Sequence, residues 1–384
     1  MTAGAGGGGA GGSGTGGSGS GTSGTPAASA ISGTGYASCH HGEILQGVFL
    51  DARGRRCAAL VTLPLTGLGT RAEAVLRPDT PPGRHSVDPP DRTKALRAAV
   101  LTLRECRARR PQVALCGLEL RLSGDVPLGL GMGSSSSDVI AAVRAVADAC
   151  GLRLPSRTVA RIAVRAERAS DPLMLDGRPR LFAQREGRVL EVLGDALPPA
   201  VVVGCALGAG RPVDTLSLPA PACGDDDVRA YERLRSLLRR AVAEGDTRLL
   251  GHVSTESARR AQRVLRHPEF DRLTRVAERT GAVGVQIAHS GSVAGLLFDP
   301  ATTDLKARLR RCAAALGHEG ITVTRTFTTR PSAGPPTPVT PPTPLTPLTS
   351  FTSSEESRHG RAHRRRDRTA RPDTPGRRAH LSAL

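Results

Sequence analysis

Four consecutive serines, Ser134, Ser135, Ser136 and Ser137, follow the alternating glycines Gly129, Gly131 and Gly133 in PLGLGMGSSSSD, which runs from Pro127 to Asp138. Residues of these types at this spacing suit an anion. Glycine lets backbone N–H groups approach a phosphate with no Cβ in the way. A helix that starts beside the serines turns its unpaired N–H groups and partial positive charge toward the same anion. That charge is worth only about 0.3–1 kcal/mol at an exposed end, so several aimed N–H bonds must do most of the holding. The hydroxyls then serve phosphate oxygens or a Mg²⁺ ion. Taken alone, the stretch reads equally well as a turn with a serine N-cap. A dinucleotide loop fits poorly, because Gly129 and Gly131 lack the third glycine in its place. No Gly-Lys-Ser/Thr occurs, and the stretch holds no G-x-S-x-G elbow.

A second group of reactive types is ASCHHGEILQGVF, residues 37–49. Cys39, His40 and His41 are metal-ligating types, but neighbours on a strand point to opposite faces, so the trio does not close on one ion. The eight cysteines form no C-x-x-C pair. That excludes a zinc ribbon or disulfide scaffold and fits a reducing cytoplasm.

These residues need elements to hold them. Leu118, Leu120 and Leu122 alternate in 113–127, predicting a half-buried strand that feeds the glycines. Val139, Ile140, Val143, Val146, Ala147 and Cys150 recur at helical spacing after the serines, with Gly151 as the stop. Residues 156–170 predict a second helix and 180–193 a hairpin. A buried strand at 200–208 opens a new unit. Helices follow at 225–245, 268–281 and 303–316, with strands AVGVQIAH, VAGLLF and GITVTRTFT. Paired strands mixed with helix pairs make an α+β protein. Residues 1–30, almost all Gly, Ser, Thr and Ala, cannot bury enough apolar surface to order themselves, and the Pro/Thr- and Arg-rich stretch 331–384 forms another disordered tail.

Composition narrows the partners. The net charge is +18 and almost all the basic residues are arginine. A solvated basic surface accounts for this and would still attract an anionic small molecule. Aromatic residues are only 2%, which argues against a nucleic-acid platform of stacked rings. No apolar run reaches spanning length, so no membrane partner is expected, nor is a secretory leader. The oligomeric state is left open.

A third stretch, VQIAHSGSVAGLLF (285–298), adds a strand, a Gly-Ser turn and a strand. The three motifs, in this order and spacing, resemble the GHMP kinases over about residues 36–328. The resemblance implies a two-domain fold: an N-terminal domain (31–195) like ribosomal protein S5 domain 2, and a ferredoxin-like C-terminal domain (196–330). It implies ATP as phosphoryl donor, Mg²⁺, and a small alcohol as acceptor. GEILQG and the run Gly131, Met132, Gly133, Ser134, Ser135 and Asp138 resemble the L-threonine kinases of cobalamin assembly, which makes L-threonine the first expected acceptor, with homoserine or a non-catalytic ligand sensor as alternatives. His40 and His41 depart from that branch, in which cysteine abuts the glycine.

Residue roles follow from the resemblance. Pro127, Gly129, Leu130, Gly131, Met132, Gly133 and Ser134 to Ser137 would wrap ATP. Ser135 and Glu167 would bind Mg²⁺. Asp171 would stand beside the acceptor hydroxyl, with Asp176 a weaker substitute. Glu43, Gln46, Ser290 and Gly291 would meet the acceptor, and Asp138 would complement the helix dipole.

Overall fold

The structure is a computed structural model and describes residues 31–124, 132–208, 223–289 and 292–329. Two long strands dominate it: β1 (Ile31–Leu50) and β2 (Arg56–Arg77) pair antiparallel from Ile31↔Leu76 to Leu50↔Arg56. The register slips three times between Ser38 and Leu45. Bulges of this kind bend a strand and re-aim its side chains. Here the irregular stretch is CHHGEI, which carries the reactive groups of the first motif.

Strands β3 (His85–Asp88) and β4 (Gly117–Gly124) extend the sheet beyond β2. On the other side lie β7 (Val201–Ala206), β8 (Gly284–Ile287), β9 (Val293–Phe298) and β10 (Val323–Thr328). The order is β10-β7-β9-β8-β1-β2-β4-β3, and a hairpin of β5 (Arg180–Ala183) and β6 (Arg188–Val192) hangs from β2. Only one register pair, Glu43↔Ile287, joins β1 to β8.

Helices α1 (Thr93–Arg109), α2 (Ser134–Ala149) and α3 (Ser156–Glu167) cover the β1–β2–β4 side. Helix α2 lies directly on β1, because a Cβ at Gly35 would stand 2.2 Å from the Ala141 carbonyl oxygen. Side chains there would force the elements apart. Alanines and valines of α2 fill that core with Leu118, Leu120 and Phe182. Helices α4 (Asp225–Glu244) and α5 (Thr247–Ala261) pack on the other half of β1 around Ile44, Leu45 and Phe49. Helices α6 (Phe270–Thr280) and α7 (Leu305–His318) close a third core with β7–β10.

The expected strand before the glycines spans Gly117–Gly124, and the helix expected over 156–170 ends at Glu167. Two helices carry weak sequence signals. Helix α1 has Arg92 at its N-cap position and no side-chain cap, and α5 buries Thr247, Ser254 and Ser257 on its apolar face. Strand β1 hides its length because Cys39 to Gln46 are buried on both faces, so the expected alternation is lost. No helix among the described residues is long and apolar enough to cross a membrane.

Candidate active site

The N-terminus of α2 is capped by Gly133 itself, in the left-handed region at φ 68°, with no side-chain cap bond. A serine therefore does not cap this helix. A Cβ at Gly133 would fall 2.3 Å from the imidazole Cδ2 of His40 and 3.3 Å from an Asp171 carboxylate oxygen. Glycine is needed here twice over, for its backbone angle and for the ring packed against it.

The serines point to different tasks, as helical spacing requires. Ser135 donates to one Glu167 oxygen at 3.1 Å, and Ser136 to the other at 2.9 Å. Ser136 also accepts the Asp171 backbone N–H at 3.1 Å. Ser134 is buried at the first turn. Ser137 corrects the expectation placed on it. Fully buried, it donates to the Ala37 carbonyl at 2.7 Å and accepts the Thr70 N–H at 3.0 Å, which ties α2 to β1 and β2 and turns the hydroxyl into the sheet. Asp138 likewise does more than complement a dipole. It accepts from the Thr70 hydroxyl at 2.6 Å and pairs with Arg92 at 3.0 Å.

Helix α3 ends on Glu167, and Arg168 turns the chain at φ 72°. A non-glycine residue in that region carries strain, of the kind that clusters at working sites. The turn brings Ser170 back to the sheet, where its N–H donates to the Gln184 carbonyl at 3.0 Å. Asp171 follows, facing the N-terminus of α2. Asp176, the weaker substitute, is instead an exposed partner of Arg178 and Arg180.

From the β1 bulge, the backbone N–H of His40 donates to the Met132 carbonyl at 3.1 Å. Its Nδ1–H donates to the Gly42 carbonyl at 3.2 Å, and its Nε2 stands 3.0 Å from Asp171 Oδ2. Glu43 lies 3.7 Å from His40 Nδ1 and accepts the backbone N–H of His289. The ring of His289 donates to the Gln46 side-chain oxygen at 2.8 Å, and Gln46 donates to the Ile287 carbonyl at 3.1 Å. Glu167, Ser136, Asp171, His40, Glu43, His289 and Gln46 thus form one continuous polar chain.

The charges respond to one another. Burial works against an imidazolium at His40, but Asp171, Glu43 and the Gly42 carbonyl outweigh it and raise its pKa to about 9. Burial also opposes the Asp171 carboxylate, and His40 overcomes it, holding that group below the usual range. At Glu43 burial wins over His40 and lifts the carboxyl to about 7. Glu167 rises to about 7 for the same first reason, with the Ser170 hydroxyl opposing and the Asp171 charge adding to the rise. A buried carboxylate held up only by hydroxyls is incompletely compensated. With Ser135 it forms a set of hard oxygen donors, which is what Mg²⁺ takes. The residues present fit that ion.

His40, Glu43 and Asp171 also place ligand-capable atoms within 4.8 Å of one another. The two ring nitrogens of His40 are engaged by the Gly42 carbonyl and by Asp171, so this cluster is an ion-paired one. His41 turns away, as strand alternation requires, onto Gln286 at 3.2 Å and the Phe327 ring at 4.9 Å. The pairing of His40 with Asp171 is what the sequence reading missed, because it weighed both histidines as metal ligands.

Met132 joins Leu65, Ala288 and Val293 in a small apolar cluster, so its carbonyl, rather than its side chain, serves the site. Pro127, Gly129, Leu130, Gly131, Ser290 and Gly291 lie outside the described residues.

Residues 94–174 match the model of the GHMP kinases N terminal domain, and residues 238–315 that of the GHMP kinases C terminal. An L-threonine kinase of Citrobacter freundii is 26% identical over 183 residues, which cover 47% of this chain and 62% of that protein. The chain thus spans under two thirds of that relative's length. Among solved structures, a homoserine kinase from Cytophaga hutchinsonii superposes with a TM-score of 0.55 at 18% identity, covering 78% of this chain and 94% of that one. A second, solved in complex with MVAPP, AMPPCP and magnesium, also has a TM-score of 0.55, at 16% identity over 78% of this chain and 97% of that one. At such identities they speak for the fold alone. With both family models matched, N-terminal before C-terminal, the chain carries the N-terminal and C-terminal domains of the GHMP kinases.

Proposed function

We propose that this protein transfers the terminal phosphoryl group of ATP to the hydroxyl of a small amino acid, L-threonine first. The observation that carries the reading is the meeting of Ser135, Ser136, Glu167, Asp171 and His40 at the N-terminus of α2. A carboxylate for the acceptor proton, a hydroxyl–carboxylate pair for a divalent ion and a helix terminus for phosphate occupy one corner of the fold. The likeness to an L-threonine kinase supports the acceptor.

Asp171, kept ionised by His40, accepts the hydrogen bond of the acceptor hydroxyl and takes its proton as that oxygen bonds to phosphorus and ADP leaves. His40 holds the carboxylate in place from behind, and Gly133 lets it stand there. Ser135 and Glu167 would hold Mg²⁺, whose contribution is to neutralise phosphate charge. Positioning and charge neutralisation then supply most of the catalysis, as in phosphoryl transfer generally. Glu43, buried against His40 and the His289 N–H, shapes this corner, while Gln46, which lines the adjoining cleft, would meet the acceptor. We place the division between the nucleotide-binding domain and the C-terminal domain near residue 195.

The test is transfer from [γ-³²P]ATP with Mg²⁺ to L-threonine, L-serine, homoserine and mevalonate. Labelled phosphothreonine is the expected product. Label on homoserine alone moves the assignment to the alternative acceptor, whereas nucleotide binding with no transfer to any alcohol makes the protein a ligand sensor.

A further inference from the structure

Behind Gln46 and His289 the structure opens into a cleft of about 500 Å³. That falls within the 300–1,000 Å³ of typical small-molecule sites. Its walls come from β1, the β5–β6 turn, α4 and the end of α5, and it begins where the polar chain from Asp171 ends. Its charge is lopsided. Arg185, Arg260 and Arg263 line it against a single carboxylate, Asp227. Arg263 pairs with Asp227; Arg260 lies 3.7 Å from Asp227 and 5.6 Å over the Tyr231 ring. Arg185 has no ion pair or hydrogen bond among the described residues. Its neighbour Gln184 is buried, and the Gln184 side-chain oxygen has no partner among them either. Buried polar atoms are rarely left without a partner, so this oxygen needs one from outside the described residues.

Arg185 is also tied to the chemistry. The Gln184 carbonyl accepts the N–H of Ser170, the residue before Asp171, which fixes the β5–β6 turn beside the reacting corner. The Arg185 charge is felt at His289, on the boundary between that corner and the cleft.

We propose that Arg185 reads an anionic group on the acceptor, held in this cleft while the acceptor hydroxyl faces Asp171. The proposal rests on the kinase reading above and deepens it, because it names the residue that selects anionic over neutral alcohols. A guanidinium with no internal partner is suited to a carboxylate or a phosphate ester. Neutral alcohols leave it unpaired and lose that contribution.

Two pairs of probes separate the sources of the anion: L-threonine against L-threoninamide, and sn-glycerol 3-phosphate against glycerol. Binding of each is measured by calorimetry on the full chain, with and without AMPPCP, in the wild type and in Arg185→Gln. A preference of tenfold or more for L-threonine over its amide, abolished in Arg185→Gln, supports the proposal with a carboxylate. The same pattern in the glycerol pair supports it with a phosphate. Equal or absent binding within both pairs, or a preference that survives Arg185→Gln, overturns it. Arg185 is exposed, so the variant keeps its fold, which a thermal melt checks. Since no turnover is needed, a kinase assay that fails while the anion preference stands would reject the transfer reading and leave this one.

Discussion

At the scale of single residues, the site stores charge that the fold alone would not tolerate. Glu167 is buried and its carboxyl is raised to about 7. A carboxyl whose folded pKa exceeds its unfolded one stabilises below the unfolded value, and that stability is lost as pH rises through the folded pKa. Glu167→Gln should therefore melt higher than the wild type at pH 8 in metal-free buffer, while transferring no phosphate. Ser135→Ala should lose turnover with a wild-type melting curve. Near-full activity in both variants would remove the magnesium assignment. His40→Gln tests the neighbouring pair. Without the imidazolium, burial of Asp171 is opposed only by His289 and Ser136 and its pKa rises, so the acid limb of the kcat–pH profile moves to higher pH. A loss of about 10²-fold in kcat near neutrality is expected, with KM for ATP little changed. An unmoved acid limb would show that His40 does not govern Asp171.

At the scale of elements, the serine run of α2 divides its labour by helical phase. Ser135 and Ser136 face Glu167, whereas Ser137 is turned into the sheet. Ser137→Ala deletes a buried hydroxyl that bridges Ala37 and Thr70, removing a partner from both backbone groups. The expected cost is about 1–3 kcal/mol in denaturant unfolding, with kcat per folded molecule retained. A selective loss of nucleotide affinity without a change in stability would return Ser137 to the ATP site. The β1 bulge is the other active element. It bends β1 where His40 meets Asp171, while strand alternation sends His41 to the opposite side, so adjacent residues of like type take unlike roles.

At the scale of the whole molecule, His41 sits where β1 meets the strands of the C-terminal half. Its ring touches Phe327 of β10, bonds Gln286 of β8 and fills the space that glycine leaves at Gly204 of β7. Burial lowers its pKa to about 4, so the folded state requires it neutral. A histidine depressed in the fold contributes stability above its unfolded pKa, and that contribution is lost as pH falls from about 6.5 toward 4. Denaturant unfolding between pH 7 and 4 should show this loss, on the order of 3 kcal/mol for a shift of this size. His41→Phe should flatten that part of the curve, and an unchanged pH slope in the variant would discount His41 as the seam's acid sensor.

Much of this was legible from residue types and spacing. The glycine–serine run, the α+β pattern, most of the helices and the family resemblance needed only local information, because a phosphate site is built from adjacent backbone groups and a helix terminus. The pairing of Ser135 with Glu167 and the nearness of Asp171 were also expected, since the family motifs place them. The tertiary structure decided what depends on contacts distant in the chain. It put the His40 ring against Gly133, 93 residues away, and so gave that glycine a neighbour that no local pattern names. It turned Ser137 inward and Asp138 toward Arg92. It set Arg185, an ordinary turn residue by sequence, at the mouth of a cleft. Periodicity reports which face of an element is apolar, but what that face meets is settled only when β1 threads between two halves of the molecule and brings their charges into one low-dielectric corner.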